Sequence, residues 1–355
     1  MSHRTLAAVL VAAAAAALAP SAASAATFTA FAGADGVSPS PPAQFSPNGF
    51  FRRSLTIHVG DSVRWQFRGF HTVTFPARGQ RVADLLTVNP SAPVAGVNDA
   101  TGRPFWFNGQ PSFGFNGQVA APQGGTTVTG SKLVNSGLPT GTPPKPFTAR
   151  FTRAGVFTYF CAIHPGMRGT VRVVSPRRAI PTSRANDAVR TAEIASVARH
   201  GRSTAAKAAP APTATGATVQ VGRAPTGERF TINAFFPANP TVRVGQTVAF
   251  TMAGQNTTEV HTVTFGPTPA IRHIPFIGAT GPNPQAIYPS DPPTAPLPPY
   301  DGTNHGNGFL NSGVLDNIGA SPLPNVARVA FSRAGTYTFE CVVHEDMTGT
   351  VTVTP

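Results

Sequence analysis

The feature that most constrains this chain is a stretch that occurs twice. FTRAGVFTYFCAIHPGMRGTVRVV (151–174) aligns without a gap to FSRAGTYTFECVVHEDMTGTVTVT (331–354). Three shorter blocks recur upstream: LTIHVGDSVRWQF (55–67) with PTVRVGQTVAFTM (240–252), HTVTF at 71–75 and 261–265, and LVNSGL (133–138) with FLNSGV (309–314). Four blocks in one order are an internal duplication, so the chain must fold as two copies of one unit.

Each block reads as strand. Leu55, Ile57, Val63, Trp65 and Phe67 alternate with Thr56, His58, Ser62, Arg64 and Gln66, and period two marks a half-buried strand. Phe157, Tyr159 and Cys161 share one face, as do Tyr337, Phe339 and Cys341. Phe160 and Glu340 fall on the opposite face, which is expected to look outward, with the long insert of its own half covering Phe160. Charged residues are 12% of the chain, while 35 Gly, 37 Pro and 25 Phe supply both turns and core. That mixture predicts a loop-rich all-β protein rather than a disordered one.

The N-terminus reads as a secretory signal peptide over residues 1–25. A polar start with His3 and Arg4 precedes an apolar run from Leu6 to Leu18 and an Ala23-Ser24-Ala25 cleavage signal. The run is too short to span a bilayer, so a secreted or periplasmic protein without a transmembrane segment is expected. The repeats then place one unit at 26–175 and a second at 216–355. Residues 176–215 between them are basic and rich in Ala and Pro. They read as a partly helical, otherwise flexible linker, with a helix over Ala185–His200, Ser183 or Asn186 as its cap and Gly201 as its stop.

An exported chain with two cysteines could form one disulfide. Pairing Cys161 with Cys341 would staple equivalent interior strands of the two copies, so each Cys is expected to serve inside its own half. The candidate ligands are His71, Cys161, His164 and Met167 in the first copy, and His261, Cys341, His344 and Met347 in the second. Two imidazoles and a thiolate with a weak thioether form the ligand set that selects copper and makes an electron-transfer centre. Zinc also takes Cys and His. Two methionines at the same offset, in a chain with four Met, favour the softer metal.

These residues carry a family resemblance. The pattern HTVTF, NSG, F(T/S)RAG and (F/Y)T(Y/F)xCxxHxxMxGTV resembles the cupredoxins, the blue copper proteins that include plastocyanin, azurin and amicyanin, and the short Cys-x-x-His-x-x-Met loop is similar to that of amicyanin. The resemblance implies two tandem Greek-key β-sandwiches, each holding one type 1 copper with the ligands named above. Two departures stand out. Thr72 and Thr262 follow the first histidines, where small members often carry an Asn that braces the Cys loop. First His and Cys are also 90 and 80 positions apart, because of inserts at 103–130 and 281–308. Inserts of that length can cover the copper end, mediate contact between the halves, or be plain surface excursions.

The function expected is single-electron transfer. An alternative of another class is a copper oxidase or nitrite reductase, which are also built from fused cupredoxins but add a catalytic copper on further histidines. This chain has no His-x-His pair, and His58, His200, His273 and His305 are non-repeated spares. Copper storage or delivery is a third reading, for which the Met- or His-rich tracts of delivery proteins are missing. Charge is uneven: residues 26–175 carry a balance of +9, 176–209 of +5 and 210–355 of −2. An acidic redox partner is therefore expected for the first copy, and contact with anionic cell-surface polymers for the linker. Nucleic acid is not an expected partner of an exported chain.

Overall fold

The structure is a computed structural model. It describes residues 25–35, 44–254, 259–267, 271, 274–278, 281–294, 296–317 and 323–355. The expected signal peptide, residues 1–25, lies outside the described residues apart from Ala25. No helix among those described is long and apolar enough to cross a membrane.

The fold is all-β, and the described residues form four five-stranded sheets and one long helix. In the first half one sheet runs Phe50–Phe51, Thr27–Gly33, Ser62–Arg68, Phe147–Phe151, Thr127–Val128, and the other Val134–Asn135, Thr74–Phe75, Gly155–Phe160, Arg168–Val174, Ser54–His58. Thr27–Gly33 is parallel to Ser62–Arg68, and Ser54–His58 is parallel to Arg168–Val174, so chain neighbours lie in different sheets. The second half repeats the plan. Gly216–Arg223 is parallel to Thr247–Thr251, and Thr241–Arg243 is parallel to Thr348–Thr354.

The alternation read from the sequence fills the space between the sheets. Leu55, Ile57, Val63, Trp65 and Phe67 are all buried, with Trp65 packed edge-on against Phe75 and Tyr159. Phe250, Phe265 and Phe339 form the matching centre of the second half. Burying aromatic area on this scale is the main favourable term holding each pair of sheets together.

The opposite face of the second sheet differs from expectation at Glu340, which is buried. Glu340 is in register with Thr264, and Thr264 with Asn311, so the three side chains leave the sheet on one side. There Asn311 Nδ2 donates to the carbonyls of Gln285, Ala286 and Tyr288, in and just after the helical turn Pro284–Ile287. The insert thereby closes over that face. In the first half Asn135 Nδ2 donates likewise to the carbonyls of Gln118, Val119 and Ala121, and Phe160, in register with Thr74, is half-buried beneath the same kind of cover.

The two inserts also meet each other. Trp106 Nε1 donates to the Pro289 carbonyl at 3.0 Å, Tyr288 donates its hydroxyl proton to the Pro111 carbonyl at 2.6 Å, and the Phe107 and Tyr288 rings stack at 5.0 Å. Of the roles open to the inserts, contact between the halves is the one seen. A second tie is the strand Gln44–Ser46, which comes from the first half and adds an edge to the second half's sheet beside Thr231–Phe236.

The helix spans Ser183–Ala205, and its N-cap is Thr182, whose hydroxyl accepts from Ala185 N at 3.2 Å. Gly201 does not stop it. Gly201 lies inside the helix against the Phe45 ring, where a side chain would collide, so close packing outweighs its poor helix propensity. Val197 and Ala198 dock among Phe51, Phe230 and Ile232, residues of both halves. Glu193 accepts from the backbone N–H groups of Arg52 and Arg53. The linker helix is therefore packed rather than free, although its apolar stripe is thin. Thr182→Ala should cost about 1 kcal/mol through loss of the cap, read as a lower denaturant midpoint with an unchanged slope.

Candidate metal centres

The loop that joins Gly155–Phe160 to Arg168–Val174 carries Cys161, His164 and Met167. It is tight: Cys161 N donates to the Met167 carbonyl at 3.0 Å, and Met167 N to the His164 carbonyl at 3.1 Å. The second loop repeats both bonds at 2.9 and 3.3 Å between Cys341, Met347 and His344. His71 and His261 arrive from the segments just before Thr74–Phe75 and Thr264–Phe265.

Three atoms converge in each half. His71 Nδ1 and His164 Nδ1 are 3.0 Å apart, and Cys161 Sγ lies 4.0 and 3.4 Å from them. An ion equidistant from three atoms so arranged sits about 2 Å from each, a metal–imidazole bond length. Cys341 Sγ lies 3.8 Å from His261 Nδ1 and 3.7 Å from His344 Nδ1. Both cysteines are free and buried, and the structure forms no disulfide between them. Among the described residues these are the two groups of three that could hold a metal ion. Met167 and Met347 are buried in the same core clusters as their cysteines.

The threonine after each first histidine braces the cysteine. Thr72 Oγ1 accepts from Ala162 N at 2.8 Å while Thr72 N points at Cys161 Sγ at 3.4 Å. Thr262 does the same with Val342 N at 2.9 Å and Cys341 Sγ at 3.4 Å. The chain continues inward: Thr72 Oγ1 lies 3.3 Å from Thr74 Oγ1, which donates to Asn135 Oδ1 at 2.8 Å, and Thr262, Thr264 and Asn311 repeat this line. A hydroxyl thus does what the sequence comparison assigned to an Asn. Thr72→Val should leave Ala162 N–H without its acceptor, at a cost of about 1–3 kcal/mol. Chemical denaturation of the metal-free protein measures it.

Glycines make room for the first histidines. Gly33, at φ 81°, and Gly222, at φ 68°, lie against the outer nitrogens, so that a Cβ there would stand 2.7 Å from His71 Nε2 and 2.5 Å from His261 Nε2.

Charge in the metal-free sites follows from burial and proximity. Burial would raise the Cys161 thiol, but the charge and hydrogen bond of His164, with those of His71, outweigh it and hold the thiol well below its usual range. Cys341 is lowered in the same way by His261 and His344. Burial pulls His71 and His261 down. His164 is pushed up to about 10 because Glu259 and Cys161 outweigh its burial, and His344 likewise to about 10 through Cys341 and Glu259. Each site thus favours a thiolate, which is the form that binds metal.

Glu259 was not singled out by sequence. Its carboxylate reaches His164 Nε2 at 3.3 Å and His344 Nε2 at 3.5 Å, and Asn48 Nδ2 donates to it at 2.9 Å. The spare histidines are engaged elsewhere: His58 with the Arg178 carbonyl and Asp61, His200 with Glu228, and His305 between Asp99 and Asp291. His273 lies outside the described residues.

No family model matches the chain, and no curated protein matches it in sequence. Solved structures similar to it include a reduced Cu(I) form of an amicyanin mutant, 18% identical over 42% of this chain and 83% of that one, with a TM-score of 0.21. Another is oxidised plastocyanin from Dryopteris crassirhizoma, 24% identical over 38% of this chain and 98% of that one, with a TM-score of 0.20. Both belong to the family that the sequence motifs resemble. At such scores the likeness carries no argument, and the fold and the sites stand on their own geometry.

Proposed function

We propose that the chain is an exported electron carrier that holds two type 1 coppers, one on His71, Cys161, His164 and Met167 and one on His261, Cys341, His344 and Met347. The observation that carries this reading is the convergence, twice, of two imidazole Nδ1 atoms and one thiol sulfur, all buried except the half-buried His344. The donors suit the metal: a soft thiolate and two imidazoles serve both copper oxidation states, and the thioethers of the same loops supply the weak fourth ligand. Copper bound there would give and accept single electrons.

The protein's own residues supply rigidity. Thr72 and Thr262 fix the sulfurs, the loop hydrogen bonds fix His164 and His344, and Gly33 and Gly222 let His71 and His261 sit close to the backbone. Ligands held in that way need little rearrangement when the charge on the metal changes. The expected partner is a redox protein, acidic where it meets the first half with its balance of +9.

Copper reconstitution with a metal count and a visible spectrum tests the reading. Two coppers per chain, a blue oxidised protein and no turnover of oxygen or nitrite are expected. A third copper with a type 2 paramagnetic signal and turnover would put a copper enzyme in its place.

A further inference from the structure

The stretches just before the two first histidines differ, three residues (68–70) in one copy and eight (253–260) in the other. Two residues before His71 stands Gly69, and two residues before His261 stands Glu259. At Gly69 a Cβ would already lie 3.1 Å from His71 Nε2. The second copy thus carries a carboxylate where the first has none, and it stands where the halves meet. One oxygen lies 3.3 Å from His164 Nε2 in the first half, and the other 3.5 Å from His344 Nε2 in the second. Asn48, a buried residue of the first half, donates to Glu259 Oε1 at 2.9 Å and so fixes the carboxylate from the other side. Both histidines present Nδ1 to their cysteines, so the Nε2 atoms held by Glu259 are the outer edges of the two sites.

We infer that Glu259 is a positioning residue shared by both centres, and that it joins them into one pair that exchanges electrons within the chain. The inference rests on the copper reading above. The route runs through the His164 ring, one carboxylate and the His344 ring, with two non-bonded gaps of 3.3 and 3.5 Å. With copper held on both ligand sets, the electron given up by one site would be the electron taken up by the other, so the exchange would balance without any further oxidant or reductant. No bond is made or broken, and the protons on both Nε2 atoms stay where they are. Because one carboxylate restrains both rings, a change at Glu259 must be felt at both centres at once.

Two measurements test this on the full chain. In the first, the two-copper protein receives a pulse of reductant that delivers less than one electron per chain. Redistribution between the sites should be first order, with a rate independent of protein concentration, and absent in Cys341→Ser. In Glu259→Ala the rate should fall by about 10- to 100-fold, the scale seen when a ligand imidazole loses its outer partner. Glu259→Gln, which keeps the shape but offers one acceptor oxygen, should fall between. The second measurement needs no redox step. In histidine-labelled, metal-free protein, the Nε2 resonances of His164 and His344 should shift together in Glu259→Ala, with those of His71 and His261 little changed. A rate that scales with protein concentration in a chain shown to carry two blue coppers overturns the exchange and leaves the copper reading standing. Failure to bind copper, seen first in the metal count, overturns the copper reading and the exchange with it. Histidine resonances that do not move together overturn the shared positioning whatever metal is bound.

Discussion

Cys161→Ser should remove one bound copper and about half of the blue colour, Cys341→Ser the other half, and the double substitution all of it, because the colour arises from the covalent thiolate–copper(II) bond. A serine hydroxyl does not ionise in this range and cannot replace that bond. The fold should survive the change. Thr72 N and Thr262 N, which point at the sulfurs at 3.4 Å, find an oxygen in the same place, and the core around Cys161 and Cys341 loses little volume. Each single variant should therefore keep the other centre's spectrum almost unchanged. Metal analysis beside the visible spectrum separates this outcome from zinc binding, for which Cys and His are also suited. A colourless protein that takes zinc over copper in competition would falsify the reading.

The two His-Cys-His clusters were legible because duplication states each signal twice. A His, Cys, His and Met at matched offsets in two blocks single out His71, Cys161, His164 and Met167 with their counterparts. The structure draws each His-Cys-His set together within hydrogen-bonding distances. The threonines were visible as a departure, yet their job was not, since it depends on Ala162 N and Val342 N coming within 2.9 Å across the loop. Glu259 was hidden for a different reason. Its partners His164 and His344 lie 95 and 85 residues away, and it acquires meaning once the halves are packed. The signal available was the mismatch of Gly69 with Glu259 beside a histidine that the repeat otherwise preserves.

The misreadings elsewhere share that origin. Strand periodicity places Glu340 correctly on the face opposite Phe339, but it cannot say that the turn Pro284–Ile287 closes over that face. Propensity makes Gly201 a helix stop, while the Phe45 ring makes it a close contact inside a longer helix. Gln44–Ser46 pairs with a strand almost 190 residues on, which no local pattern records. Local rules thus gave the elements and their inner faces. What covers the outer faces follows from contacts between the halves.

The metal-free protein should be most stable between about pH 6.5 and about pH 9, and lose stability on both sides of that range. The signs follow group by group. His71 and His261 are lowered by burial, so the unfolded chain takes up protons below the usual 6.5 that the folded protein refuses, and stability drops as pH falls. The Cys161 and Cys341 thiols are depressed from the usual 9.0, so their contribution is complete above that value and shrinks as pH falls. Glu259 is depressed as well, and its contribution is lost below the usual 4.5. His164 and His344 run the other way. Raised to about 10, they stabilise fully below 6.5 and lose that contribution as pH rises toward 10. Between 6.5 and 9 the cysteines gain stability with rising pH while His164 and His344 lose it, so the two trends oppose each other. Below 6.5 the losses of His71 and His261 join the loss already under way at the thiols, each lost proton-binding difference counting for about 1.4 kcal/mol per pH unit at most. Denaturant midpoints of the reduced, metal-free protein from pH 4 to 10 measure the curve. In the double Cys→Ser variant the cysteines' gain is gone while Glu259 still raises His164 and His344, so stability across this range should decline with rising pH. Equal stability at pH 4.5 and pH 7 in the unsubstituted protein would show that the buried imidazoles and thiols are not coupled as their geometry requires.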